Sequence, residues 1–484
     1  MPLGWTIRRS SYFDSIALMR AAEDARQVPG VSDVAVVMGT PANRAMLVEA
    51  GLCPAEAPAV APDDLLVAVR AKTDEAVRLA LGRVEQLLAA PPASGPPTPD
   101  DVAPRTVLSA ARRAGSASVA LIAVPGDYAA LDAHQALSAG LHVFLFSDGV
   151  ALSDEVALKR RARQLGLLVM GPECGTAIIN GVGLGFANRV RRGSIGVVGA
   201  SGTGIQEVTS LVHRLGAGIS HAIGTGGRDL HAAVGGITTR QALEWLAADE
   251  ATRVVLVVSK PPSREVADAV LGAAVGTGKP AVACLLGYDG ATPKGVAVVE
   301  TLEEAAVATV RLGGGAGGDL ERPASVPRAG ARGAVLGLYT GGTLCEEARR
   351  LVGGTPHRFA DFGSEEYTRG RPHPIIDPSR RHAAILDAAG DRGIAVLLLD
   401  VVLGDCAHPD PAGALGPVLT EAHERARRGG RELPVVAHVV GTEDDPQRLG
   451  AQENALRKLG VTVCGSNRSG ALTAREMIRG RDAG

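Results

Sequence analysis

The chain has 484 residues, 46% of them apolar and 21% charged, with a formal net charge of −2. That length exceeds one ordinary hydrophobic core and calls for about three domains. The near-neutral charge gives no basis for binding nucleic acid or an acidic membrane, and no run reaches the roughly 20 apolar residues of a membrane span.

In chain order, MPLGWTIRRSSYFDS holds no apolar signal core, which points to the cytoplasm. The strand TIRRSSY, the helix DSIALMRAAEDARQV, and the strands DVAVVMGT and DDLLVAVRA precede the helix EAVRLALGRVEQLLA, an order that suits a small split βαβ layer. APPASGPPTPDDVAP, Ala90–Pro104, reads as a linker. SVALIAVP, the helix DYAALDAHQALSAG, LHVFLFSD and GLLVMGPECGT then alternate as a parallel, doubly wound sheet would. GPECGTAIINGVGLGFANRV, Gly171–Val190, is expected as a strand end with a glycine-laden loop. A second linker, GGGAGGDLERPASVPRAGARG, spans Gly313–Gly333. Aromatics make up only 3%, so the cores must come from Ala, Val, Leu and Ile.

A repeat runs through the rest. VVGASGTGIQEV (Val197–Val208) is echoed by YTGGTLCEEA from Tyr339, with Gly202 on Gly342, Thr203 on Thr343 and Glu207 on Glu347. RVVLVVSKPP is echoed by IAVLLLDVVLGD, and KPAVACLLGYDG by LPVVAHVVGTED. Four elements in one order, offset by roughly 140–155 residues, indicate two copies of one α/β domain. The expected division is an N-terminal α+β domain over 1–90, a linker over 91–104, a Rossmann-like domain of CoA-binding type over 105–192, a flavodoxin-like ligase domain over 193–312, a linker over 313–333, and a second ligase domain over 334–484.

Each repeated glycine turn opens a helix. A phosphate would suit such a start, where free N–H groups meet the positive end of the helix dipole; a tight turn needing glycine for sterics is the other reading. The candidate phosphate donors are Ser201, Gly202, Thr203 and Gly204 from the first turn, and Gly341, Gly342 and Thr343 from the second. GTGGRDL places Gly226, Gly227, Arg228 and Asp229 at the carboxyl edge of a strand, where doubly wound sheets bind ligands; an Arg–Asp pair tying down the turn is the alternative. YTRGRPHPIIDP offers Arg369, Arg371, His373 and Asp377 in a proline-stiffened loop, and an arginine there suits a carboxylate or phosphate. Lys260 of SKPP reads as solvated. Six cysteines, Cys53, Cys174, Cys284, Cys345, Cys406 and Cys464, form no CxxC pair, so neither a disulfide frame nor a metal site is expected. Cys174 and Cys345 lie near glycine turns, yet buried packing is the commoner fate of such thiols. No GxxxxGK[ST], HExxH or GxSxG motif occurs.

The stretch from Gly171 to Val208, with GTGGRDL and LAADEATRVVLVV, resembles the succinyl-CoA synthetase α-subunit, and the C-terminal copy resembles the ligase domain of the β-subunit. Within that superfamily, YFDSIALMRAAE, VVMGTPANRAMLVEAGL, MGPECGTAIING, SHAIGTGGRDL, VSKPP and RPHPIIDP are similar to stretches of the FdrA family. The superfamily resemblance implies acyl-CoA, acyl-phosphate and phosphohistidine chemistry. The histidine of that mechanism, expected in a GHAGAI stretch, is replaced here by GYDGATPKGVAVVE, and neither a GFTGKQG-type turn nor an ATP-grasp segment is evident. The FdrA resemblance implies a subunit of an oxamate carbamoyltransferase in allantoin catabolism, which splits oxalurate with phosphate into oxamate and carbamoyl phosphate. It further implies partner subunits from neighbouring genes. The expected roles are phosphate binding by the two turns with Thr203 central, carboxylate binding by Arg228 or Arg371, and substrate contacts from Asn188, Gly226, Gly227, Asp229 and Asp377. Phosphate and carbamoyl phosphate are then substrates, no cofactor is assigned with certainty, and CoA stays open. The alternatives are an NDP-forming acyl-CoA synthetase-like ligase, with His373 taking the phosphoryl group, and a ligand-binding subunit without chemistry of its own.

Overall fold

The computed structural model describes residues 1–11, 13, 15–53, 60–89, 104–318, 320, 333–368 and 372–479. Most of both expected linkers, together with Arg369 and Arg371, lies outside the described residues. The chain forms two compact units, one of 1–105 with 365–377, the other of 106–364 with 378–484.

The first unit is built on β1 (Leu3–Arg8), α1 (Ser15–Arg26), β2 (Val31–Met38), α2 (Pro41–Glu49), β3 (Leu65–Ala71) and α3 (Asp74–Ala89). β3 lies between β1 and β2 and is antiparallel to both, so β1–α1–β2 is the split βαβ unit expected from sequence. The period of two along β3 sorts its side chains between two cores. Leu65, Val67 and Val69 face the cluster with Leu18, Ala25 and Val84, while Leu66 and Ala68 face Leu47 and Leu52.

The second unit opens with α4 (Val107–Ala114), β4 (Val119–Ile122), α5 (Gly126–Ser138), β5 (His142–Leu145), α6 (Leu152–Leu165) and β6 (Val169–Met170), whose strands form a parallel three-stranded sheet. Next come β7 (Thr176–Ile179) and β8 (Val182–Gly185), a hairpin where sequence suggested a loop. Asn180 and Gly181 turn it, with φ of 52° and 83°, as a two-residue Asn-Gly turn requires.

The following sheet holds β9 (Arg192–Ala200), α7 (Gly202–Arg214), β10 (Ile219–Gly224), α8 (Ile237–Ala248), β11 (Val254–Ser259), α9 (Arg264–Gly276), β12 (Ala281–Leu285), β13 (Val296–Val298) and α10 (Leu302–Leu312). The last sheet holds β14 (Ala334–Tyr339), α11 (Gly342–Val352), β15 (Arg358–Asp361), α12 (Glu365–Thr368), α13 (Ser379–Gly390), β16 (Ile394–Val402), α14 (Pro411–Arg428), β17 (Val435–Val440), α15 (Leu449–Lys458), β18 (Thr462–Cys464) and α16 (Asn467–Arg479), of which α12 belongs to the first unit.

The parallel strands run β13-β12-β11-β9-β10 in one sheet and β18-β17-β16-β14-β15 in the other. Renumbered within each copy, both read 2-1-3-4-5, the flavodoxin-like order, with a switch point between the first and third strands. The repeat read from the glycine turns is therefore a repeat of topology. The antiparallel β7–β8 hairpin extends one edge of the first sheet, through the pairing of Ala222 with Ile178.

A buried charge cluster locks α6 onto the turn after β10. Lys159, with a fully buried side chain, reaches Glu155 at 2.7 Å, Asp229 at 2.8 Å and the Thr225 carbonyl at 2.9 Å. Removing only the cation strands two buried carboxylates. Lys159→Met is expected to destabilise the protein by about 3–5 kcal/mol, read as a lowered urea midpoint at unchanged m-value.

Candidate functional site

α7 and α11 start at the switch points of the two sheets and meet at their N-termini. Ser201 caps α7, its Oγ accepting the Gly204 N–H at 2.9 Å, and the same hydroxyl is hydrogen-bonded to Thr343 Oγ1. Gly341 packs so closely that a Cβ there would lie 2.8 Å from Thr203 Oγ1. α11 has no side-chain cap of its own. Instead Asp400, at the end of β16, accepts the Thr340 and Gly341 N–H groups at 2.8 Å each and the Thr340 hydroxyl at 3.0 Å. Arg381, buried on α13, donates to the Asp400 carbonyl at 2.6 Å and to its carboxylate at 3.0 Å.

These bonds divide the expected phosphate donors. The Ser201 hydroxyl, the Gly204 and Gly341 amides and the Thr343 hydroxyl are spent inside the protein, and all four residues are buried. In the structure these groups serve helix capping and the docking of the two helix starts. Gly202, Thr203 and Gly342 are the half-buried members. Beside them stand two groups that sequence reading undervalued. A side chain on Gly342 would collide with Lys260 Nζ and Asp361 Oδ2, so the lysine read as solvated lies against the start of α11. Lys260 follows β11, and Asp361 and Asp400 fall at the ends of β15 and β16. The carboxyl-edge rule that flagged Arg228 would have found all three. Burial raises the Asp361 carboxyl above its usual range, with Lys260 opposing.

Other expected residues are claimed by structure. Arg228 pairs with Glu155 at 2.9 Å and donates to the Val150 carbonyl at 2.8 Å. Asp229 takes the Thr238 and Thr239 amides at the start of α8, the Thr239 hydroxyl and Lys159. Gly226 is required by its φ of 87° and by Pro172 and Gly171 packed against it, while Gly227 faces open space. Asn188 donates to the Leu403 carbonyl at 3.0 Å and Asp445 at 2.9 Å, joining the two sheets. In the structure Arg228, Asp229 and Asn188 are thus engaged in structural ties. His373 and Asp377 belong to the first unit, where Asp377 pairs with Arg26. The thiols are sequestered: burial pushes Cys174 up to about 12 and Cys345 well above the ordinary range.

One turn inside the paired helix starts, the duplicated glutamates cross between the copies. Glu207 of α7 accepts the Asn467 N–H at the start of α16 at 3.2 Å, and Glu347 of α11 accepts the Leu302 N–H at the start of α10 at 2.6 Å. Glu207 also meets His438 Nε2 at 2.7 Å, while His438 Nδ1 lies 3.1 Å from the Cys464 carbonyl. Both partners of the ring are acceptors, so the arrangement favours the doubly protonated imidazole. Burial alone would lower the His438 pKa, and the Glu207 carboxylate raises it above its usual value. Burial lifts Glu347 to about 7, against the hydrogen bonds from Leu302 and Asn467.

The chain is thus a mixed α/β protein with a duplicated core whose helix starts are paired. Matches to family models fall on its parts: a heavy metal-associated domain of AllF over residues 1–101, a CoA binding domain over 190–287 and a CoA-ligase over 338–477. The chain belongs to the family of the YahF protein of Escherichia coli (strain K12), to which it is 37% identical across 99% of both chains. It is 31% identical over 149 residues to subunit alpha 1 of an ADP-forming succinate–CoA ligase of Archaeoglobus fulgidus, covering 30% of this chain and 50% of that one. It is 26% identical over 151 residues to subunit SauD of an ADP-forming sulfoacetate-CoA ligase of Bilophila wadsworthia, with the same coverage. The chain spans about half the length of these ligase subunits. The superfamily resemblance to succinyl-CoA synthetase is upheld, whereas the carbamoyltransferase reading finds no support among these relatives.

The residues present do not fit a heavy metal in the N-terminal domain. Residues 1–101 contain no histidine and one cysteine, Cys53, and its thiol is buried with Leu47, Leu52, Leu66 and Ala68. Soft metals need two or more thiolate or imidazole ligands. Among the described residues no group of three His, Cys, Asp or Glu is placed to hold a metal, and no helix is long and apolar enough to cross a membrane.

The buried Glu347 and His438 set a pH dependence. A group whose pKa is raised on folding stabilises fully below its unfolded value and loses that contribution as pH rises through the folded value. Glu347 then loses its contribution between about 4.5 and about 7, and His438 from about 6.5 upward. Unfolding free energy is expected to fall with rising pH across this span, by at most about 1.4 kcal/mol per unit for each group. Urea titrations from pH 5 to 8 test this, and Glu347→Gln should flatten the acidic part of the profile.

Proposed function

We propose that this chain is the anion-binding core of an acid–thiol ligase of the NDP-forming acyl-CoA synthetase type, working with partner chains on a small carboxylic acid in the cytoplasm. The observation that carries this reading is the meeting of two glycine-turned helix starts at the switch points of paired flavodoxin-like sheets, one within the CoA-binding match and the other within the CoA-ligase match. Gly202, Thr203 and Gly342 would hold a phosphate group by N–H and hydroxyl donors, with the Lys260 ammonium balancing its charge. The same donors would stabilise the negative charge that develops when a carboxylate takes up, or gives back, a phosphoryl group. A phosphate of CoA would suit Gly202 and Thr203 chemically, and the bound cofactor would supply the thiol that accepts the acyl group. Lys260 and Asp361 both stand against Gly342 at the edge of the donors, where the lysine would hold the anion in register without a covalent carrier.

The carbamoyl-transfer reading keeps one observation in its favour. The loop Gly287–Gly290 carries Tyr288, not histidine, and its hydroxyl is occupied by Asp268 at 2.5 Å and the Ala291 carbonyl at 3.0 Å. Direct attack of phosphate on the carbamoyl carbon of oxalurate needs no phosphorylated side chain, and it would use the same cradle.

The two are separated by assaying the chain, co-purified with the products of neighbouring genes, for acid- and CoA-dependent ADP/ATP exchange. The expected result is exchange that requires both acid and CoA; carbamoyl phosphate formed from oxalurate and phosphate, without nucleotide or CoA, would reverse the assignment. In either case Lys260→Ala is expected to weaken inorganic phosphate binding by roughly 10- to 100-fold, the range for a charge-assisted hydrogen bond, measured by calorimetry.

A further inference from the structure

The loop that sequence reading marked for its arginines does not fold with the domain that supplies it. Residues 365–377 leave the C-terminal sheet after β15 and return to it at α13, yet they pack as part of the first unit with residues 1–105. Both roots of the loop reach the start of α11. Asp361, four residues before the segment, lies against Gly342, and Arg381, four residues after it, binds the Asp400 that holds the Thr340 and Gly341 amides.

Inside the first unit the segment has a defined anchor. Asp377 forms an ion pair with Arg26 in the last turn of α1 across 351 residues of sequence. Arg26 also binds Glu23 at 3.0 Å and the Val34 carbonyl at 3.2 Å, so its guanidinium ties α1, β2 and the segment together. The pair is largely removed from water, with side-chain exposures of 17% for Arg26 and 8% for Asp377. Ile375 and Ile376 beside it are buried at 5% and 3%. A tight turn presents them: the His373 carbonyl accepts the Ile376 and Asp377 N–H groups at 2.8 and 3.0 Å.

We propose that the N-terminal domain, which has the family's heavy-metal fold without its ligands, is a clamp for this strap, and that Arg26 is the positioning residue that grips it through Asp377. The surface at the end of α1 is a docking site whose occupant is this chain's own segment 372–377. Holding that segment is how the first unit gathers residues that lie between β15 and α13 in the sequence. The inference is independent of which reaction the core performs.

The test uses the full-length chain with a protease site inserted within residues 91–103. After cleavage of the otherwise wild-type protein, the N-terminal fragment is expected to co-elute with the remainder on size-exclusion chromatography. Charge reversal by Arg26→Asp or by Asp377→Arg should release it, weakening retention by roughly a hundredfold or more, as expected for an uncompensated, largely buried charge. The double variant Arg26→Asp with Asp377→Arg should restore co-elution, which separates a specific grip from general unfolding. Loss of the fragment from the wild-type protein, retention in both single reversals, or failure of the double variant to recover would each overturn the proposal.

Discussion

The second unit depends on a reciprocal exchange of helix caps. Each copy of the repeat contributes a buried glutamate from its first helix to the N-terminus of the other copy's last helix, Glu207 to α16 and Glu347 to α10. A helix start that is buried must find acceptors for its first amides. Each copy caps its last helix in part by itself, Thr301 taking the Glu304 N–H and Ser466 the Ser469 N–H at 3.2 and 3.0 Å, and the glutamate of the other copy supplies a further acceptor across the seam. Asn467 strengthens the crossing by donating to Glu347 at 2.7 Å and to the Leu344 carbonyl at 2.9 Å. The tie between Asn188 and Asp445 closes a second seam.

That docking brings the starts of α7 and α11 into contact, and the donor inventory follows from it. Two glycine turns brought together gather several helix-start amides in one place, and part of them is taken up by the protein itself. Ser201 takes the Gly204 amide and Asp400 the Thr340 and Gly341 amides, the Thr343 hydroxyl meets that of Ser201, and Gly342 faces Lys260 and Asp361. The two copies differ here in a way the repeat alone would not suggest. Under α7 the strand position matching Asp400 is Val258, whose Cγ1 would lie 3.0 Å from a Cβ on Gly204. Under α11 it is a carboxylate neutralised by Arg381. One helix start is capped by its own serine and the other by a neighbouring strand.

Much of this was legible in advance, for identifiable reasons. Short Val- and Leu-rich runs separated by helices of regular length signal a parallel sheet because both faces of each strand must be covered. The matching of Gly202 and Thr203 with Gly342 and Thr343 revealed the duplication because a glycine turn tolerates few substitutes. The β7–β8 hairpin is masked in the sequence despite its Asn180-Gly181 turn, because the surrounding glycines of Gly171–Val190 dilute the alternation that marks a strand. Lys260 was discounted because a lysine after a strand is usually solvated, and only its neighbour, the bare backbone of Gly342, gives it a role.

The sequence by itself determined the alternation of strands and helices, the duplication, and the chemical kind of each turn, since these are local properties of glycine, of β-branched runs and of period. It did not determine which polar groups remain for a ligand. Arg228, Asp229 and Asn188 carry the same side chains whether they clamp a substrate or tie α6, α8 and two sheets together. Their bonds with Glu155, Lys159 and Asp445 span tens to hundreds of residues. The tertiary structure alone decided this, because a hydrogen-bonding group is available only when no closer partner has been folded against it.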